Sequence, residues 1–113
     1  MIEYTVENAE IFEDKLAEFQ HKYRVIVNVY YLLYERYKGY EEKGEKEKAE
    51  KFKKALDEVE KISGIYLWAI LAMIKIISKE KATKEEIDKL MNIIQEDVKD
   101  TYKDKLIDII RNL

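Results

Sequence analysis

The chain has no cysteine and no proline, and only three glycines and one histidine among its 113 residues. Without cysteine there is no disulfide and no thiolate ligand for a metal. Without proline, and with glycine so scarce, there are few places to break a helix or to turn a hairpin of strands. An excess of one charge is lacking as well. Twenty-four acidic and 21 basic residues leave a net charge of −3, so no global field draws the chain to nucleic acid or anionic lipid. The longest uncharged apolar stretch, Ile62 to Ile74, stops at Lys75, well short of the roughly 20 residues that a bilayer requires. The opening MIEYTVENAE is acidic, unlike a secretory signal. There is no serine, histidine and acid arrangement, no glycine-rich phosphate loop and no nucleophilic cysteine. These absences predict a cytoplasmic, non-enzymatic chain without cofactor, metal or membrane association. The heavy use of Lys, Glu, Ile and Tyr is thermophile-like.

What is present is a cadence. Ala9, Phe12, Leu16, Phe19, Tyr23, Ile26, Tyr30, Leu33, Tyr37 and Tyr40 follow one another at steps of three and four. On a helix this spacing lines all ten along one seam, the a/d track of a heptad repeat. It predicts a first helix over about 7–38, ended by Gly39 and Gly44, since glycine past a helix end adopts the left-handed conformation at low cost. The cadence resumes at Ala49, Phe52, Leu56, Val59, Ser63, Tyr66, Ile70, Met73 and Ile77, predicting a second helix over about 45–79. Gly64, within it, marks either a kink or a close approach by a neighbour. Thr83 and Glu86 have the spacing of a capping box and open a third helix over about 84–112. Ile87, Leu90, Met91, Ile94 and Val98 form its inner face. KDTYKD interrupts that helix, so a split near 99–102 is expected, with Thr101 and Asp104 capping the last piece. The fold class is all-α: one domain, residues 1–113, an up-down bundle of three long helices. The tail is expected to cover the rear half of helix 2 and the apolar flank of Tyr23–Tyr34.

Two surfaces could serve function. With the seam of helix 2 turned inward, Ile65, Trp68, Leu71 and Ala72 share its far side. An apolar face containing Trp is typical of a binding hot spot, so the first reading is an interaction module that forms a homodimer or docks a protein partner there. The structural alternative is that helix 3, or Ile2, Tyr4 and Val6, covers this face. The second reading is nucleic-acid or nucleotide binding through Lys22, Arg24, Tyr31, Arg36 and Lys38 on helix 1, where rings stack bases and cations hold phosphates. The bland account of the tyrosines is packing, because Tyr23, Tyr30, Tyr37 and Tyr40 lie on the seam. Glu18-x-x-His21 has the spacing of a diiron ligand pair, but a diiron bundle needs a second histidine. Glu42/Glu45, Glu47/Glu50 and Glu85/Asp88 resemble the carboxylate pairs of MazG-type nucleotide pyrophosphohydrolases, which would imply magnesium. They lie among lysines, where convergence on an ion is not expected.

Overall fold

The computed structural model describes the backbone from residue 6 and the side chains from Phe12 to the C-terminus. The described residues form four helices: α1 (Val6–Glu42), α2 (Lys46–Ile77), α3 (Lys84–Val98) and α4 (Thr101–Arg111). The described residues contain no strand. The third long helix is therefore two, broken where KDTYKD interrupts the apolar cadence. The molecule is a rod of 56 × 23 × 22 Å, its length set by α1, since 37 residues at 1.5 Å each give about 55 Å.

α1 passes straight through Gly39 and stops at Gly44 instead. Gly44 has φ of +74°, and the amides of Gly44 and Glu45 bond the carbonyls of Glu41 and Tyr40 at 3.1 and 3.0 Å. This Schellman arrangement satisfies the carbonyls that the helix end leaves free. One physical reason for running past Gly39 is Tyr40. Its ring lies 5.2 Å from that of Phe52, a contact that offsets the roughly 1 kcal/mol disadvantage of a mid-helix glycine. The next two helices end in the same way but without glycine, at Lys79 (φ 62°) and Asp100 (φ 59°).

The capping box forms as expected. The Glu86 amide donates to Thr83 Oγ1 at 3.1 Å, and the Thr83 amide donates to Glu86 Oε1 at 3.4 Å. Replacing Thr83 with alanine is expected to lower stability by about 1 kcal/mol, measurable as a shift in the urea midpoint. The cap expected at the last helix is absent. Asp100 is its N-cap without a side-chain bond, and the Thr101 hydroxyl instead donates to Glu96 at 2.6 Å.

The two long helices pack side by side along the seams. Phe19, Ile26 and Leu33, one heptad apart, are buried against α2 residues that include Leu56, Val59, Tyr66, Ile70 and Met73. α3 and α4 lie on α2, and among the described helices only α2 approaches the α1 backbone closely. The tail therefore does not blanket the flank of Tyr23–Tyr34. Leu106 borders a cavity with Val25 and Ile26, while Leu32 stays 64% exposed. On α3 the inner face is Ile87, Leu90, Ile93, Ile94 and Asp97. Met91 and Val98, expected inside, face solvent.

Candidate functional site

Position 97 continues the three-four spacing of Ile87, Leu90 and Ile94, so α3 carries a carboxylate into the bundle. Asp97 is 5% exposed, the only buried charged residue among those described. An unpaired acid there would be strongly disfavoured. Each of its oxygens has a partner: Lys22 Nζ of α1 donates to Oδ2 at 2.8 Å, and the Tyr66 hydroxyl of α2 donates to Oδ1. Tyr66 is held between two rings, with Phe19 at 5.0 Å and Tyr102 of α4 at 5.6 Å. Residues from all four helices thus converge on this point.

Burial, and then the bond to Asp97, push the Tyr66 phenol far above its usual range. Burial also raises the Tyr102 phenol. For Lys22, burial disfavours the charged form, but hydrogen bonds to Asp97 and Glu18 outweigh it and hold the ammonium above its usual value. A phenol or ammonium whose folded pKa is raised stabilises the fold below its unfolded value, and that contribution is lost as pH rises through the folded one. Both groups act in the same direction here. Stability is expected to decline from about pH 10 upward, and Tyr66→Phe should flatten this alkaline limb in pH-dependent urea melts.

Beside the cluster is a cavity of about 370 Å3 between α1 and the tail, lined among others by His21, Val25, Ile26, Tyr102 and Leu106. Asp97, Lys22 and Tyr66 are already satisfied by one another, and no buried side-chain polar atom among the described residues lacks a partner. A carboxylate engaged on both oxygens offers neither a free base nor an open metal ligand. Its arrangement suits a lock that fixes how α3 docks on the hairpin. From Ile94 a step of four to the apolar Val98 fits the three-four spacing as well as a step of three to Asp97, so the spacing alone does not single out the acid.

For the Trp68 face the structural alternative, cover by the third helix, is the one seen. α3 lies on it. Lys89 Nζ stands 4.2 Å above the Trp68 ring, Lys75 pairs with Glu86 at 3.1 Å, and Ala72 is buried at 8% exposure. Ile65 is half-buried and borders a cleft with Ile109 of α4. Leu71 alone of the four remains broadly exposed, at 58%, and it is joined by Leu67 and Ile74. The open apolar stripe of α2 is thus one residue step round from the expected face. Ile2 and Tyr4, and the Val6 side chain, lie outside the described residues.

The helix 1 cations and tyrosine also separate. Arg24, Tyr31 and Lys38, seven residues apart, share an exposed face. Lys22 is committed to Asp97 and Glu18, and Arg36 lines a groove near the hairpin tip. The Glu18 carboxylate is occupied by Lys22 and Lys15 at 3.1 and 3.3 Å, which holds it below its usual range. No protein-family model matches the chain, and no curated protein or solved structure is significantly similar to it.

Proposed function

We propose that the protein is a helical-bundle assembly module that pairs with a second copy of itself through the bare stripe of α2. The observation that carries this reading is the composition of that stripe: Gly64, Leu67, Leu71 and Ile74, at steps of three, four and three, all exposed. Three large aliphatics in water on one face favour a covered state. Gly64 strengthens the argument. A mid-helix glycine costs about 1 kcal/mol relative to alanine, yet a methyl group at this position would meet nothing within 4 Å. No packing among the described residues accounts for it, whereas a second helix crossing closely would.

The spacing also supports a copy of the same chain over an unrelated partner. A two-fold axis requires each patch to complement itself. Turned antiparallel about the point midway between Leu67 and Leu71, the stripe sets Leu67 against the partner's Leu71 and Gly64 against the partner's Ile74. The branched side chain of Ile74 at one end then meets the absent side chain of Gly64 at the other.

The test is sedimentation equilibrium of the full chain beside the double substitution Leu71→Glu with Ile74→Glu. The native chain is expected to dimerise. Burying a leucine or isoleucine contributes about 1.5–3 kcal/mol, so the variant should associate at least ten-fold more weakly while keeping its helical circular dichroism. A native chain that stays monomeric at high concentration, or a variant that dimerises equally well, would refute the reading.

A further inference from the structure

The tail helices do not reach the end of the hairpin. Beyond α4, the groove between the last turns of α1 and the first turns of α2 continues as an open channel of about 1050 Å3. Its floor is apolar, formed by Val29, Leu32 and Leu33 of α1, Phe52 of α2, and Ile110 and Leu113 of the tail. Its charged lining is strongly biased: Arg36 from α1, Lys43 from the turn that follows it, and Lys48 and Lys51 from α2, against the single acid Glu35. Near its middle Gly39 lines the groove, and a methyl group there would meet nothing within 4 Å.

We propose that this channel docks an acidic amphipathic helix of another protein. A helix fits because the channel prolongs the course of α3 and α4, which already lie along the hairpin as helices. Grooves between paired helices accept a third at an axial separation of about 8–10 Å. From Val29 to Lys43 the course is roughly 20 Å, three to four turns of the occupant. The apolar floor selects a ligand with apolar residues at helical spacing. Cations on both helices select Asp and Glu on either side of that seam. Gly39 lets the occupant's backbone come near. Nucleic acid fits less well, because the floor is largely aliphatic, and the two rings, Tyr40 and Phe52, pack on each other at 5.2 Å and offer no open stacking platform.

A displayed library of 16-residue peptides panned against the full chain tests the proposal, with fluorescence anisotropy of the selected peptides at low and high salt. The expected winners carry apolar residues at i, i+3 or i+4, and i+7, flanked by acids. Their affinity should fall about ten-fold or more in Lys48→Glu with Lys51→Glu and weaken with salt. Leu32→Asp should weaken them as well, and because Leu32 is already exposed this variant keeps the fold. Basic or aperiodic winners, affinity untouched by either variant, or displacement of the peptide by a single-stranded oligonucleotide would each overturn the proposal.

Discussion

Phe19→Ala is expected to lower the stability of the fold by about 3–5 kcal/mol, against the 5–15 kcal/mol typical of a whole domain. Phe19 is fully buried and occupies the inner row of α1, so its removal opens a void between two long helices that cannot easily close. The loss extends beyond lost burial. Its ring lies 5.0 Å from Tyr66 at an interplanar angle of 54°, and that contact steadies the phenol that donates to Asp97. Loosening Phe19 therefore also loosens the polar lock. Urea unfolding should give a much lower midpoint with an unchanged slope, since the surface exposed on unfolding is nearly the same. A loss below about 1 kcal/mol would mean that the seam of α1 is not the centre of the core.

Asp97→Ala is expected to cost about 2–4 kcal/mol, somewhat less than a fully buried pair because Lys22 retains access to water. The substitution leaves the Tyr66 hydroxyl buried without its acceptor and the Lys22 ammonium without its nearest anion. Lys22→Met alone strands the acid in the same apolar surroundings and should be similarly harmful. Joining Lys22→Met to Asp97→Ala removes both charges and is expected to cost less than the two single losses together, although the Tyr66 hydroxyl still lacks its acceptor. The double-mutant cycle in urea measures this coupling directly. If the two single losses simply added, the residues would not act as a unit.

Much of the fold was legible because packing left a periodic trace. The three-four cadence located both long helices, and Thr83 with Glu86 located the start of α3. The failures are equally physical. Gly39 reads as a stop, yet the Tyr40–Phe52 contact carries the helix past it. Lys79 and Asp100 end helices in the left-handed conformation, and neither residue type advertises that role as glycine does. On α3, apolar preference chose Val98, whereas partners on α1 and α2 made Asp97 the inner residue. The candidate interface shifted for a related reason. A helix that is apolar on several sides does not declare which flank its neighbour takes, and α3 took the flank of Trp68 and Ala72. Leu71 was the one residue of that face left bare.

The left-handed residue between α3 and α4 has a consequence for register. Along one inner row of α3, Ile87, Leu90, Ile94 and Asp97 advance by three, four and three, with Ile93 buried beside them; the next inward residue, Tyr102, comes five later, and Leu106 and Ile109 resume at four and three. In an unbroken helix one surplus residue would rotate everything downstream by about 100°, turning Tyr102 away from the ring of Tyr66. Asp100, at φ 59°, absorbs that surplus and resets the phase. A chain shortened by one residue at this point would carry the cadence through without a break, and α3 and α4 could merge into a single straight rod.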